Sequence, residues 1–296
     1  MSQVIDAHHH YWRTAAQEQP WRTDAHHVLK QDFGPDDLVT ELDAAGVDAT
    51  VLIQSVDERA ENNRLADYAR FERTAGIVSW LPVSQGTQAI AELERLHIPK
   101  QRGVRCLIAR DPLSWLQNAD VIRLFNELAS RGLAWDVVPV TPEQTAAVTM
   151  LARAVPELRI VVDHLGRPPV ESGEGEVWAA NIGQLAACDN VAMKVSVGID
   201  ILSAWPRWDA QMLRPFVDHV VSKFGVDRLM LASNWPVVLH RQSYGNAWRD
   251  LRELVEAHNL SQSERDALSG GTAQRWYALG TSVEDREVRR ADSGMR

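Results

Sequence analysis

The chain has 296 residues, 45% of them hydrophobic and 24% charged, and carries a formal net charge of −9. That length gives room for a buried core in one large α/β domain or two smaller ones, and the acidic balance excludes nucleic acid or an anionic membrane as the main partner, since both select basic patches. No apolar run reaches the roughly 18 residues of a membrane span, and no basic n-region with a leader-like apolar segment precedes Val4, so a cytoplasmic protein is expected.

The first β-rich run, VIDAH at 4–8, leads directly into His9 and His10. Strand alternation puts Asp6, His8 and His10 on one face and Ala7 and His9 on the other. The segment 35–46 opens on Pro35-Asp-Asp, spaces its apolar residues by three and four, and stops at Gly46, which predicts a helix. Further strands are predicted at 48–54 (DATVLIQ), 75–83 (AGIVSWLPV), 102–108 (RGVRCLI), 133–140 (LAWDVVPV), 159–165 (RIVVDHL), 190–197 (NVAMKVSV) and 228–233 (RLMLAS). Helices are predicted between them at 59–68, 120–132, 143–154 and 215–224. Strands alternating with helices point to a parallel sheet, and about 250 residues is the usual size of a closed (β/α)8 barrel. The rival, a doubly wound open sheet, carries a Gly-rich phosphate loop after its first strand, where this chain has histidines.

One barrel domain is expected over 1–282, followed by a charged extension over 283–296 (VEDREVRRADSGMR) that lacks an apolar stripe. The Gly- and Glu-rich stretch between Pro168 and Trp178 reads as a surface connector, with a lid as the alternative. Cys106 and Cys188 have no CxxC or zinc-ribbon spacing and read as free thiols in a reducing compartment.

On an inward strand face, His8 and His10 stand about 7 Å apart, able to share a divalent metal or grip one substrate oxygen. The bland alternative is a polar strand end. His164 closes the sixth predicted strand in VVDHLGRPP, and Ser233, Asn234 and Trp235 close the eighth in LMLASNWPVV. In a barrel all of these meet at the C-terminal mouth, where active sites form. Of the 11 tryptophans, Trp12, Trp21, Trp80, Trp135 and Trp235 fall at or near predicted strand ends. Indoles stack on the C–H faces of sugar rings, so such a mouth suits a carbohydrate, whereas Trp178, Trp248 and Trp276 read as packing residues. Gln54, ending the second strand, is a candidate hydroxyl partner, with a satisfied strand-end amide as the alternative.

The motifs DAHHHYW, Pro20-Trp21, DFGPDDL, VLIQS, RGVRCL, VVDHLGRP, AMKVSV, ASNWPV and GTAQRWY occur in one order over residues 4–278. In these the chain resembles the amidohydrolase superfamily, in its branch of sugar-acid and dicarboxylate lactonases typified by L-fuconolactonase and 2-pyrone-4,6-dicarboxylate lactonase. The resemblance implies a distorted (β/α)8 TIM barrel. It implies that His8 and His10 form the HxH of the first strand and that His164 is the histidine of the sixth. Arg105 then matches an arginine on substrate oxygen, Arg167 a second cation for an anionic substrate, and Lys194 a recurrent lysine of the seventh strand. Members vary in keeping a metal, so one divalent ion, zinc, held by His8, His10 and His164 is an open expectation, with no organic cofactor.

Asn234 departs from the resembled pattern, which has aspartate there. A carboxamide has no useful basicity and offers a donor where acceptor oxygens are expected. Three readings stay open. A neutral His8, His10 or His164, or the carboxylate of Asp6 or Asp136, takes the proton of the attacking water. Alternatively Asn234 only positions water whose pKa a metal lowers, or catalysis has been lost and the pocket binds a sugar acid. The leading expectation is a hydrolase that opens an aldono- or urono-lactone. Its catalytic set is His8, His10, His164 and Asn234, and its substrate contacts are Arg105, Arg167, Trp12, Trp21, Gln54, Lys194 and Trp235. Its partner is a small-molecule sugar lactone, with a homo-oligomer as an option, and the rival activity is a metal-dependent decarboxylase. On sequence grounds alone, restoring aspartate at 234 is expected to raise activity.

Overall fold

The structure, a computed structural model, describes residues 3–170 and 175–280. The extension over 283–296 and the middle of the 168–178 stretch lie outside the described residues. Eight strands form one parallel sheet in sequence order: β1 (Ile5–His9), β2 (Ala49–Ile53), β3 (Thr74–Trp80), β4 (Gln101–Arg105), β5 (Ala134–Val137), β6 (Ile160–Val162), β7 (Val191–Val195) and β8 (Leu229–Leu231). The chain closes the ring where β8 ends: His9 bridges Trp235, His10 N donates to Trp235 O, and Asn234 N donates to His8 O. Each predicted strand is present; β1 is shifted by one residue to Ile5–His9, and the other seven are shorter than predicted. The stretch predicted to 83, for example, leaves the sheet after Trp80 and turns through a short helical segment at Val83–Gln85.

Helices α1 (Pro35–Ala45), α2 (Arg59–Tyr68), α3 (Thr87–Arg95), α4 (Ala119–Ser130), α5 (Pro142–Ala154), α6 (Gly175–Ala186), α7 (Ile199–Ala204), α8 (Arg214–Phe224) and α9 (Tyr244–Glu256) alternate with the strands or follow them. Local chemistry sets several boundaries. Pro35 starts α1 with its ring already at a helical φ, and Gly46 ends it in the left-handed region at φ 66°. Thr141 caps α5 by accepting from Gln144 N, while the Gln144 side chain reaches back to Thr141 N. Sequence reading missed α9, although Tyr244, Ala247, Trp248, Leu251, Leu254 and Val255 form a helical stripe that is buried.

Two apolar layers result. Outward residues such as Leu52, Val104, Trp135, Val162 and Met193 pack under the helices. Small inward ones such as Ala7, Val51, Val78, Ala134, Val161 and Ala192 fill the barrel. Short helices α10 (Gln262–Asp266) and α11 (Thr272–Trp276) then bring Ala273 and Tyr277 into this inner layer, closing the N-terminal end of the barrel.

One expectation about β1 is corrected. Its register against β2 shifts between Asp6 and His9, so the strict two-residue alternation fails. Ala7 sits in the inner layer and His8 faces inward as well, towards Asp163 and Lys194. Asp6 turns outward to Ser233 and Tyr244, while His9 pairs with Thr50. The irregularity thus frees His8 and His10 from sharing a face with Asp6.

The seal at the N-terminal end yields a stability prediction. A Cβ on Gly270 would stand 2.1 Å from Gln3 O and 2.9 Å from Ile5 Cγ1. Gly270→Ala is expected to destabilise the protein by roughly 1–3 kcal/mol, read from the urea midpoint. An unshifted midpoint would mean that this seam yields freely.

Candidate active site

A cavity of about 290 Å³ opens at the C-terminal ends of the strands. His10, Arg105, His164 and Asn234 supply its polar wall, and Trp21 and Arg167 also line it. Much of the rest is apolar, including Ile108, Val137, Val138, Ile199 and Val237. Beneath lies a buried charged layer, one side chain from each of four consecutive strands or their ends: Arg105, Asp136, Asp163 and Lys194. Alternation selects them. Ala134, Val161 and Ala192 face inward, and the residues two further on, Asp136, Asp163 and Lys194, do too.

Asp163 is the centre of this layer. Its Oδ2 accepts from Arg105 Nη1 at 2.9 Å, and its Oδ1 lies 2.9 Å from Lys194 Nζ and 3.2 Å from His8 Nδ1. Lys194 Nζ also donates to Asp136 Oδ2 at 2.6 Å, which accepts in addition from the Tyr277 hydroxyl at 2.7 Å. Burial alone would raise the Asp163 pKa, but Lys194, His8 and Arg105 outweigh it and hold the carboxyl well below the usual range. Burial pushes Asp136 up to about 6, with Lys194 opposing.

The histidines are kept neutral. Burial lowers His8 and His10 well below the ordinary imidazole value, and lowers His164 to about 3. His10 Nδ1 faces Ile53 O at 2.8 Å and must donate to it, so its Nε2 carries a lone pair, 3.1 Å from His8 Nε2. His8 can answer in two ways. With its proton on Nε2 it donates to His10, and Lys194 donates to Nδ1 at 3.1 Å. With its proton on Nδ1 it donates to Asp163, and two Nε2 lone pairs converge.

That second tautomer is the one that a metal on His8 and His10 would need. Each histidine has a nitrogen held by a second group (Asp163, Ile53 O, and Ser196 Oγ for His164), which orients the other one, as ligating histidines require. Among the described residues the close-set ligand group is His8, Asp163 and His164, with atoms within 4.8 Å of one another, so it contains Asp163 and not His10.

Of the residues the sequence singled out, His10, His164, Asn234, Arg105, Arg167 and Trp21 line the cavity, and His8 lies against them. Gln54 does not: its Oε1 and main-chain oxygen accept from Arg105 Nε and Nη2, both at 3.0 Å, so it orients that arginine. Lys194 is enclosed in the charged layer. Trp12 and Trp235 are corrections, since both are buried in an aromatic cluster with Phe33 and are not among the residues lining this cavity. Of the carboxylates considered as a base, Asp6 faces outward and Asp136 is tied below the floor. Asp163 was missed, although it directly precedes His164. Simple alternation cannot turn both inward; His164 adopts φ 56°, a left-handed conformation that swings its ring back beside His8.

Asn234 also sits at a left-handed φ, 55°. Its Nδ2 donates to Val197 O at 2.8 Å, which fixes the amide orientation and leaves Oδ1 buried without a partner. The sequence-level objection to a donor at this place is therefore reversed: the group left over is an acceptor.

Comparisons with known proteins agree with this architecture. The family profile described as amidohydrolase matches residues 5–279. A protein of Burkholderia ambifaria named L-fucono-1,5-lactonase is 33% identical over 96% of this chain and 98% of its own length. One of the same name from Burkholderia multivorans is 31% identical over 95% and 98%. A crystal structure of an amidohydrolase from Burkholderia multivorans with bound zinc superposes with a TM-score of 0.85 at 30% identity, covering 94% of this chain and 100% of that one.

Removing one partner of a buried ion cluster strands the rest. Lys194→Met is expected to cost about 3–5 kcal/mol in urea unfolding. A loss under about 1 kcal/mol would show that Asp136 and Asp163 relax without it.

Proposed function

This chain belongs to the amidohydrolase family, and we propose that it opens a sugar-acid lactone to the free acid by attack of water on the ester carbonyl. The observation that carries the reading is the convergence of one fixed guanidinium and three neutral imidazoles at a single small cavity. The likeness to proteins named L-fucono-1,5-lactonase supports the choice of an aldonolactone. The volume, about 290 Å³, suits one sugar ring, and the apolar lining suits its C–H faces and an unhydroxylated end. In this reading the enzyme works in carbohydrate catabolism in the cytoplasm.

Arg105 polarises the carbonyl. Its bonds to Gln54 and Asp163 use three of the five guanidinium N–H groups, the second on Nη1 faces His8 Nε2 at 3.4 Å, and one on Nη2 is left for the substrate. Because those bonds fix it beforehand, stabilising the developing oxyanion needs no reorganisation. Water is oriented by Asn234 Oδ1, attacks the carbonyl carbon and loses its proton to His164, which returns that proton to the ring oxygen as the carbon–oxygen bond of the lactone breaks. A base of such low proton affinity is weak, but negative charge developing on the carbonyl beside it raises that affinity. A strained δ-lactone also demands little of it. A divalent metal held by His8, His10 and His164 would supply Lewis-acid polarisation and acidify the attacking water. Arg167 at the rim meets the product carboxylate.

A pH-indicator assay over a panel of sugar 1,5-lactones, with and without chelator, tests the reading. Acid release above background is expected, and silence across the panel alongside binding of the acids would refute it. Persistence in chelator assigns the proton to an imidazole, and loss assigns activation to the metal. Arg105→Ala is expected to lower kcat/KM by about 10²–10³-fold. Asn234→Asp is expected to lose activity and about 1–3 kcal/mol of stability, because it sets a carboxylate oxygen against Val197 O. A gain would restore the sequence-based expectation.

A further inference from the structure

A second cavity, of about 210 Å³, adjoins the first across a shared wall of Cys106, Leu107 and Ile108. Its other side presents the indoles of Trp80 and Trp115 and the carboxylates of Asp57 and Asp111, with Ser84 and Gln85 at the edge. Among the described residues no lysine or arginine lines it.

The parts are held in place. Trp115 Nε1 donates to Asp111 Oδ1 at 3.1 Å, and that oxygen also accepts from Leu113 N at 2.7 Å, so indole and carboxylate are fixed together. Asp111 Oδ2 accepts from none of the described residues. Asp57 accepts from Gln54 Nε2 at 2.8 Å and from Leu107 N at 3.0 Å. Gln54 is the residue that orients Arg105, so the two cavities share a rigid support. Between them Leu107 forms an apolar crest that is 46% exposed, unusual for a leucine this close to a site.

We infer that this second cavity is a subsite for a neutral sugar unit attached to the lactone ring, so that the enzyme takes glycosylated aldonolactones. Two tryptophans line it, a residue type whose indole stacks on sugar C–H faces, and the carboxylate oxygens beside them accept hydrogen bonds from hydroxyls. The lack of a cation disfavours an acidic sugar there. The apolar crest suits the non-polar edge of a glycosidic linkage passing over it. The inference rests on the lactonase reading of the first cavity and extends it.

The test compares D-glucono-1,5-lactone with cellobiono-1,5-lactone on the full chain and on Trp115→Ala and Trp115→Phe. The expected result is a kcat/KM about tenfold higher for the disaccharide lactone. Trp115→Ala should remove that advantage through KM, and Trp115→Phe, which keeps an aromatic face, should retain most of it. Equal efficiency on the two lactones in the wild type, or an equal loss on both in Trp115→Ala, would overturn the inference and leave the lactonase reading standing. If neither lactone is opened, the panel assay decides the lactonase reading, and cellobiose titration by tryptophan fluorescence decides the subsite. Binding that Trp115→Ala abolishes supports it, and absence of binding ends it.

Discussion

The carboxylate of Asp163 is the point on which the rest of the site depends. It is fully buried and holds Lys194, Arg105 and His8 at once. A lone ion there would carry a desolvation cost of several kcal/mol, so the fold is stable only if the partners arrive in register. They do so because they occupy equivalent inward positions at the ends of β4, β6 and β7, above a layer of alanine and valine small enough to leave room. The same contacts aim the Arg105 guanidinium and turn His8, so the cluster that the barrel must satisfy in order to fold also orients its chemistry.

The barrel was legible because strand and helix periodicities differ sharply and β2, β3, β6 and β7 are short runs rich in β-branched residues. Convergence of His8, His10 and His164 was legible for the same reason, since all three close a strand on the same end of the barrel. What escaped was whatever breaks periodicity. The shift in β1 lets Ala7 and His8 both face inward, and the left-handed residue at His164 lets Asp163 and His164 do so. Neither is written in residue type, because no glycine marks either position. The tryptophans misled for another reason. A strand-end indole can turn to the mouth or back under the loops, and Trp12 turned back to meet Phe33 and Trp21.

Trp21 shows how such a loop is nonetheless tied to the cavity. Its Nε1 donates to Gln19 Oε1, Gln19 Nε2 donates to Ser55 Oγ, and Ser55 Oγ donates to the buried Glu61. The indole is thereby anchored through three polar links to α2. On the far side His26, packed against Trp21, donates to Ser203 in α7. One aromatic wall of the cavity is therefore positioned from both flanks, which is how a loop residue acquires the fixed placement that strand residues have by default.

The two ends of the barrel are not independent. Tyr277, from the segment that closes the N-terminal end, passes up through the inner layer and donates its hydroxyl to Asp136. That bond shares Asp136 Oδ2 with Lys194, which also donates to Asp163 and, when His8 carries its proton on Nε2, to His8 Nδ1. Without the tyrosine, Asp136 keeps only one partner while its Oδ1 already has none. A buried carboxylate so exposed to imbalance would draw Lys194 towards itself and away from Asp163 and His8. Closing the bottom of the barrel thus fixes a proton donor at its centre, beside the ring of His8. A packing residue at one end and a chemical residue at the other are joined by two side chains, Asp136 and Lys194, with no intervening loop to absorb a change.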